Sequence, residues 1–478
     1  MKRDSKQGEN YPIIKIGLEV HITLKSKKKI FNWAETYKGN SNPNSEVSPW
    51  ELGYLGSLPI INPEVIKMGI KLSLALGMKL NKDILFDRKI YSYFDLPKGF
   101  QITQQNHPLA EQGLISYIDE NNELKKVEIK SIQLEEDTGK SIYSKEGIKI
   151  DFNRSGNPLI ELVTEPIFTN VKEACNFIKN LQFLLRYLDI SDAKMESGQL
   201  RVDLNFSLKL SDENSTPRYE IKNLNSLNNI EKSFEYELEK HKNLFLEGKN
   251  PPTSATLSFN EATKKTVESR EKTKYFYLPE TNIPPIKLSD DDIKKVKDNL
   301  PKLPQEYWEE IINRNIKIKN PIDKDHLILW TFYILESNGD LNLNNLNDWA
   351  TFFLNFLSNL TNLNFIEKKK DYLKIFSLWR SKSIQKEDLI KSLDYVGKEG
   401  GIDNFLNKNL ENKEEFNDES SVNKKLDDLW SEELEKLLPI KEKNVVNYLL
   451  GQIKKTLPNQ SLKEANLLIK SFLERKKN

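Results

Sequence analysis

The chain has 478 residues, too many for one hydrophobic core, so two or three domains are expected. Its 72 basic and 71 acidic residues nearly cancel, which argues against a protein covered in nucleic acid but leaves room for a local basic module. The single cysteine excludes a disulfide framework and a thiolate zinc cage, and indicates a reducing compartment. We expect no membrane span and no targeting presequence, because no window is apolar for long enough and residues 1–10 contain acids.

In the first informative stretch, Ile13–Leu24, apolar residues recur at every second position, which predicts a β-strand. Its even-numbered apolar residues face one side, so Glu19 and His21 project together from the other. At that separation a carboxylate and an imidazole can hold one cation, or the glutamate can orient the histidine. A solvated polar face is the alternative, and the motif therefore needs partners elsewhere in the chain.

The next elements are a loop, a helix and an aromatic segment. Residues 31–49 are polar without a period, which predicts a loop. An Asn-Pro-Glu triplet at 62–64 predicts a capped helix over Val65–Leu76 that ends at Gly77. Phe86–Gln101 is rich in aromatic and basic residues and contains a Pro-Lys-Gly turn. That turn suits a basic loop over an anion, and core aromatics flanked by solvated charge are the alternative.

Three adjacent acids lie at the end of a predicted strand in Gly113–Asp151, a region of alternating strands and polar turns. Because neighbours on a strand alternate faces, Glu135 and Asp137 point one way and Glu136 the other. A surface turn would tolerate all three acids, whereas a buried site would require a cation.

Two amphipathic helices and two short strands follow. Thr169–Leu188 predicts a helix whose apolar stripe includes Cys175, so this thiol is interpreted as a small buried hydrophobe. Tyr219–Asn223 predicts a strand on which Glu220 and Lys222 share a face, and a helix from there to about residue 246 would bring its positive N-terminal end beside them. The strand Leu200–Leu208 places four side chains in one polar row: Arg201, Asp203, Asn205 and Ser207.

Together these stretches offer ligands for a hard cation and basic groups for phosphate. The candidate ligands are Glu19, His21, Glu135, Asp203 and Glu220. The candidate counter-charges are Lys140, Arg201 and Lys222. Carboxylates of this kind suit Mg²⁺ beside nucleotide phosphates, and phosphoryl transfer uses both sets of residues. The chain has neither a P-loop nor a kinase glycine-rich loop.

The second half is predicted to be helical. Proline-containing segments at 248–252 and 278–286 mark a boundary, and Ser289 followed by three aspartates predicts a capped helix. Residues 401–420 are polar and acidic without a period, which predicts a joint. Residues 421–478 carry twelve basic and eight acidic side chains, a balance that suits an RNA-binding helical module, with solvated helix faces as the alternative.

Nine short motifs occur in a fixed order along nearly the whole chain: Ile16–His21, Phe86–Lys89, Asp95–Gly99, Leu134–Lys140, Asp151–Arg154, Pro158–Glu161, Arg201–Asp203, Glu220–Ser226 and Leu449–Gln452. In this order they resemble the family of B subunits of the aspartyl/glutamyl-tRNA amidotransferases (GatB/GatE). Each motif alone is weak, and their joint order excludes coincidence.

The resemblance implies an α+β protein of three domains. Residues 1–288 would form a catalytic cradle whose antiparallel sheet is similar to that of glutamine synthetase. Residues 289–402 would form an all-α helical domain. Residues 403–478 would form a small helical tail, YqeY-like, that binds tRNA.

The resemblance also implies a ligase that forms a carbon–nitrogen bond with glutamine as amido donor. The B subunit would bind Glu-tRNA(Gln) or Asp-tRNA(Asn) and transfer the γ-phosphoryl group of ATP to the side-chain carboxylate, with Mg²⁺. Ammonia from a glutaminase (amidase) subunit would then displace phosphate, and a third, small subunit would tether the two larger ones in a heterotrimer. The implied location is the bacterial cytoplasm, with an organelle as the alternative.

Carried over residue by residue, the family's metal and phosphate site falls on a set of acids, one histidine and three bases. The metal ligands would be Glu19, His21, Glu135 or Glu136, Asp203 and Glu220. The phosphate ligands would be Lys140, Arg201 and Lys222.

This chain departs from the family at two places. Many members bind zinc through paired cysteines in the segment matching Phe31–Trp50, which has no cysteine here, so we expect no zinc. The histidine that usually precedes the paired acids is Gln133, which cannot carry a proton in the same way.

Two other functions remain as alternatives. One is a non-catalytic scaffold that binds tRNA and docks an amidase, and the retained acids argue against it. The other is a small-molecule carboxylate kinase related to glutamine synthetase, for which residues 403–478 would be dispensable.

Overall fold

The structure is a computed structural model. It describes residues 12–39, 41–119, 123–209, 215–249, 255–270, 275–306, 348, 352, 356, 365–398, 401–407, 423, 426–456 and 462–477. The chain divides into two compact units, Met1–Leu329 and Trp330–Asn478. The domain boundaries expected at 288/289 and 402/403 stay predictions. Within the described ranges, no helix has the length and apolar character needed to cross a membrane.

The first unit is a mixed α+β body. Its elements in chain order are β1 (Ile13–Thr23), α1 (Pro63–Ala75), β2 (Lys79–Leu80), β3 (Asp83–Ile84), β4 (Asp87–Ile90), β5 (Phe100–Thr103), β6 (Ala110–Ile118), β7 (Leu124–Glu136), β8 (Lys140–Ser144), β9 (Gly147–Asp151), β10 (Pro158–Thr164), α2 (Val171–Tyr187), β11 (Leu200–Lys209), β12 (Tyr219–Leu224), α3 (Leu227–Leu246), β13 (Thr256–Asn260), β14 (Lys265–Arg270), β15 (Phe276–Pro279), β16 (Ile286–Lys287) and α4 (Asp290–Asp298).

Nine of these strands form one sheet in the order β14-β13-β12-β11-β1-β10-β7-β6-β2. All neighbours are antiparallel except β12 and β13, which are parallel. The predicted α+β class with an antiparallel-rich sheet is therefore confirmed. The chain past the prolines at 248–252 returns to this sheet as β13 and β14, so that segment does not end the first unit.

The apolar residues of β1 explain why it lies in the middle of the sheet. Ile16, Leu18 and Val20 are at most 1 % exposed and stand opposite Phe206, Leu204 and Val202 of β11. Helices pack against this continuous apolar face. Phe234 of α3 lies 5.4 Å from Phe206 between ring centres, and Gly69 of α1 lies against Leu134 of β7. Because helices cover the apolar face of the sheet, the polar side chains of β1 and β11 lie on its opposite face.

The predicted N-terminal ends of three helices are confirmed by their capping residues. The Asn62 side chain accepts a hydrogen bond from the backbone N–H of Glu64, with proline at the first position of α1. The Ser226 side chain caps α3, and Ser289 forms a capping box with Asp292 on α4. Cys175 is buried in the apolar stripe of α2, as predicted.

A smaller sheet, β15-β4-β5, forms a second wall beside the polar face. Its register aligns Tyr277, Lys89 and Gln101 in one row across the three strands. The Gln101 amide donates a hydrogen bond to Glu135 of β7 at 2.5 Å. This bond ties the smaller sheet to the larger one over the polar row.

The loop predicted at 31–49 is irregular in its described part and is organised by Glu51. The Glu51 carboxylate is fully buried and accepts hydrogen bonds from the Asn32 amide, the Ser48 hydroxyl and the Ser48 backbone N–H, the last at 2.6 Å. The Lys29 ammonium, also fully buried, lies 3.9 Å from Glu51. Burial lowers the pKa of Lys29, and Glu51 opposes that shift.

We expect Glu51→Gln to destabilise the first unit by about 3 kcal/mol, because removing one partner leaves a buried charge unpaired. The free energy of unfolding in urea, followed by circular dichroism, measures the effect. Glu35→Gln is the matched control, since Glu35 makes a 3.6 Å surface pair with Lys28 in the same segment and its loss should cost at most about 1 kcal/mol. Equal midpoints for the two variants would contradict the role given to Glu51.

The second unit contains only helices among its described residues. They are α5 (Phe365–Arg380), α6 (Lys386–Lys398), α7 (Glu432–Thr456) and α8 (Leu462–Lys477). Phe352 packs against Phe376 and Trp379 of α5. Leu449 of α7 belongs to a buried cluster with Phe472 of α8. Of the joint predicted at 401–420, residues 402–407 are helical and 408–420 lie outside the described residues.

Candidate metal and phosphate site

The polar face of the large sheet carries charged side chains on neighbouring strands. Glu19 of β1 stands opposite Asp203 of β11. His21, two residues further on, stands opposite Glu161 of β10 on one side and Arg201 of β11 on the other. The Glu-x-His motif therefore has the partners that the sequence alone could not supply.

The ligand groups divide into two sets of three within the described part of the chain. In each set, one ligand atom per residue lies within 4.8 Å of the others. The first set is His21, Glu135 and Glu161. The second set is Glu19, Asp203 and Glu220. We expected one cation, but the register sends Glu19 and His21 to different neighbours, so the geometry offers two oxygen-rich positions instead.

His21 and Glu161 form the charged centre of the first set, with His21 Nε2 at 3.5 Å from Glu161 Oε2. Burial alone would lower the pKa of His21, but the hydrogen bond and the charge of Glu161 raise it to about 9. Burial would raise the pKa of Glu161, and His21 holds it below its usual range. Burial raises the pKa of Glu135, against the opposing charge of Lys89.

The second set is a cluster of like charges. Burial, followed by repulsion from Glu161, Asp203 and Glu220, raises the pKa of Glu19. Lys222 Nζ lies 3.0 Å from Glu220 Oε1 and 3.5 Å from Asp203 Oδ2, and it relieves only part of that repulsion. A divalent cation would relieve the rest.

Two buried acceptors support the fit of a cation. Glu135 Oε2 and Asn205 Oδ1 are buried and have no hydrogen-bond partner among the residues that the structure places. Asn205 instead uses its amide to donate to Glu19 at 3.2 Å. Because buried oxygen acceptors are seldom left unsatisfied, both atoms are suited to a metal ion or its bound water.

The two sets line one cleft of about 970 Å³. Its second wall includes Lys89, Tyr275 and Tyr277, with the Lys89 ammonium 4.8 Å from the centre of the Tyr275 ring. Burial would lower the pKa of Lys89, but Glu135 and Glu161 raise it, so this side chain is a cation. A cleft of this volume with carboxylates on one wall and cationic groups beside them accommodates a nucleotide with its metal ions.

Six of the predicted site residues line this cleft: Glu19, His21, Glu135, Asp203, Glu220 and Lys222. The structure does not bring the other three there. Glu136 does not line the cleft, and its carboxylate lies 2.6 Å from Lys98 Nζ and accepts a hydrogen bond from the Ile102 backbone N–H. Arg201 makes two hydrogen bonds with Asp137, at 3.1 and 3.2 Å. Lys140 is exposed at the start of β8.

The Pro-Lys-Gly turn, expected to cover a ligand anion, instead neutralises a protein carboxylate. Its Lys98 pairs with Glu136 and lies 4.3 Å from the centre of the Trp50 ring. Gln133 does line the cleft, opposite Glu161 on the neighbouring strand. It provides an amide there and no titrating group.

Sequence reasoning missed Glu161 and Lys89 as site residues. Glu161 stands alone between Ile160 and Leu162 in the apolar strand β10, and a single charge inside a central strand signals a paired or functional group. Lys89 lies on β4, in the aromatic and basic segment before the Pro-Lys-Gly turn, and the sequence assigned it no role. Only the pairing of β4 with β15 directs it toward the cleft.

A family model described as the GatB/GatE catalytic domain matches residues 14–294, which is more than half of the chain. This chain belongs to the GatB/GatE family. The resemblance inferred from the ordered motifs is thus confirmed. Both sets of candidate ligands lie inside the matched region.

Named relatives agree with this assignment. The chain is similar to the aspartyl/glutamyl-tRNA(Asn/Gln) amidotransferase B subunit of Malacoplasma penetrans, with 45 % identity over 300 residues, 62 % of this chain and 61 % of that protein. The B subunit of Ureaplasma parvum is 43 % identical over 293 residues, 60 % of this chain and 61 % of its own length. That of Clostridium novyi is 35 % identical over 401 residues, 81 % and 84 % of the two chains. The match to the first two relatives thus spans about three fifths of their length.

Proposed function

We propose that this chain is the B subunit of a tRNA-dependent amidotransferase that activates the side-chain carboxylate of Glu-tRNA(Gln) or Asp-tRNA(Asn) with ATP. One observation carries the proposal. Two sets of metal ligands on one sheet face share a single cleft with Lys89 and Lys222. The names of the relatives support the class of substrate.

In this proposal His21, Glu135 and Glu161 hold one Mg²⁺, and Glu19, Asp203 and Glu220 hold another. The ions, when bound, neutralise phosphate oxygens. Lys89 and Lys222 hold the nucleotide's phosphates by charge. The substrate carboxylate oxygen bonds to the γ-phosphorus as the bond to the β–γ bridging oxygen breaks, and ADP leaves. Ammonia then attacks the acyl carbon, phosphate departs with the bonding electrons, and the amide results.

The remaining parts of the proposal follow the family. The first unit would have a cradle similar to glutamine synthetase, and the C-terminal tail would bind tRNA. The partners would be the glutaminase (amidase) and the small tethering subunit, in a bacterial cytoplasm. Zinc has no place in the proposal, because the Asn32 amide and the Ser48 hydroxyl both donate hydrogen bonds to Glu51 where a thiolate cage would need cysteines.

Trapping with hydroxylamine tests the activity, since an acyl phosphate reacts with it to form a hydroxamate. The chain of residues 1–478 with its two partner proteins should give the side-chain hydroxamate, distinct from the α-hydroxamate released by cleavage of the aminoacyl ester, only when ATP, Mg²⁺ and Glu-tRNA(Gln) or Asp-tRNA(Asn) are all present. Hydroxamate from free glutamate, undiminished by deletion of 403–478, would favour the small-molecule kinase. Tight tRNA binding without any hydroxamate would favour the scaffold.

We expect Lys89→Met to raise the KM for ATP about tenfold or more, because a lost hydrogen bond to a charged group costs about 1.5–3 kcal/mol. Lys89→Arg should recover part of the affinity by keeping the charge. Lys130→Met is the matched control, since Lys130 lines the same cleft but is exposed. Steady-state ATP hydrolysis with aminoacyl-tRNA measures all three. A KM for Lys89→Met equal to that of the control would remove Lys89 from phosphate binding.

A further inference from the structure

A second cleft, of about 460 Å³, lies next to the candidate site on the same polar face. Its lining residue Thr23 follows His21 by two positions on β1, and the neighbouring Gln199 precedes Arg201 by two. The Thr23 backbone N–H donates to Gln199 O at 2.8 Å, so the two strands are still paired there. Two residues along a strand span about 7 Å, and the second cleft therefore continues the first along the sheet.

The Arg201–Asp137 ion pair lies between the two clefts. Arg201 is fixed by two hydrogen bonds to Asp137, which itself lines the second cleft. Arg154 approaches the same carboxylate at 3.6 Å and donates to the backbone oxygens of Thr138 and Gly139. The partition thus contains two guanidinium groups that share one carboxylate.

The second cleft itself is basic. Four cationic side chains line it, against the acids Asp137 and Asp192: Lys25, Lys38, Arg154 and Lys194. Lys25 is paired with Asp189 and Asp192, and Arg154 with Asp137. Lys38 and Lys194 are exposed and have no ion pair with any residue that the structure describes.

A buried hydroxyl in the same cleft has no partner. Thr36 is 7 % exposed and lines the cleft, and its Oγ1 makes no hydrogen bond with the described residues. Because a buried donor is costly to leave unsatisfied, this hydroxyl indicates a ligand or ordered water in the cleft. A free hydroxyl donor beside two unpaired ammonium groups is suited to a phosphate oxygen.

We propose that this second cleft binds a phosphate of the single-stranded 3′ end of the RNA substrate, through Lys38, Lys194 and the Thr36 hydroxyl. The inference rests on the proposed function, which places the aminoacyl carboxylate in the first cleft. The polynucleotide attached to that aminoacyl group must then leave along the sheet face. A nucleotide phosphate has the same chemistry, but the first cleft is already large enough for the nucleotide.

The test compares Lys38→Ala/Lys194→Ala with Lys67→Ala/Lys172→Ala in the full-length chain. The control pair is exposed on α1 and α2, away from both clefts. The probes are deacylated tRNA, the same tRNA trimmed of its single-stranded 3′ end, and ATP with Mg²⁺. Fluorescence anisotropy gives each Kd without requiring any reaction, and thermal unfolding checks that the variants are folded.

We expect the wild type and the control to bind intact tRNA more tightly than trimmed tRNA, and Lys38→Ala/Lys194→Ala to bind both forms alike. Its affinity for intact tRNA should fall about tenfold, and the slope of log K against log salt should drop by about 0.7 for one single-strand phosphate contact. ATP binding should not change.

Three results would overturn the assignment. They are equal weakening toward intact and trimmed tRNA, weakening toward ATP alone, and a wild type that does not distinguish the two tRNAs. Because deacylated tRNA cannot react, an inactive chain that still shows the expected pattern would refute the proposed activity and leave the second cleft's role supported.

Discussion

Glu19→Gln should reduce aminoacyl-tRNA-dependent ATP hydrolysis by about 100-fold or more while leaving the protein folded. Glu19 belongs to the second ligand set and accepts a hydrogen bond from Asn205. The amide keeps the shape of the side chain but removes an anionic ligand. A rate measurement under saturating Mg²⁺, with the three proteins assembled, gives the effect.

The same substitution, Glu19→Gln, should not lower the free energy of unfolding although it lowers the activity. The pKa of Glu19 is raised by burial and by Glu161, Asp203 and Glu220, so its charge is unfavourable in the metal-free protein. A neutral amide should therefore give an equal or higher free energy of unfolding in EDTA. Glu128→Gln is the control, since Glu128 is exposed on β7 and outside the cleft lining. Wild-type turnover by Glu19→Gln would contradict the metal assignment.

Glu161→Gln is the second large effect, again a loss of about 100-fold or more in turnover, because it removes a ligand and the partner of His21 together. The pKa of His21 should fall from about 9, since burial is then opposed only by the charges of Asp203 and Glu135. The chain has four histidines, so an NMR titration of their ring protons in EDTA resolves the change. An unmoved His21 pKa would show that Glu161 does not set it.

The same variant predicts a pH window for stability. In the wild type the folded pKa of His21, about 9, exceeds the unfolded value of 6.5, so its contribution is full below pH 6.5 and is lost as pH rises through 9. Glu161 has a lowered folded pKa, so its contribution is lost in acid. Without metal, the wild type should exceed Glu161→Gln by roughly 3 kcal/mol near pH 6, and the difference should shrink toward pH 9.

The sequence was most informative where a property depends on neighbours in the chain. Period-two alternation put Glu19 and His21 on one face, and the same rule separated Glu135 from Glu136, as observed. Cap residues located the helix starts within two residues. These are local constraints, and residue order encodes them directly.

The sequence did not predict contacts that depend on which strands pair with each other. Glu161 reaches His21 only because β10 pairs with β1, and the alternation of β11 could not show that Arg201 reaches across to Asp137. The division of the ligands into two sets also depends on register, which no single strand specifies. The hydrogen-bonded assembly around Glu51 joins residues that are apart in the chain and leaves no motif to read.

The position of β1 between β10 and β11 has a consequence for biosynthesis. Glu19 pairs across the sheet with Val163 and Asp203, so the two neighbours of β1 are made 144 and 184 residues after it. During translation the alternating apolar residues of β1 have no neighbouring strand to join until Val163 of β10, 144 residues after Glu19, has left the ribosome. A nascent chain stalled before β11 should therefore depend on chaperones and lack the second ligand set, because Asp203 and Glu220 have not yet been made.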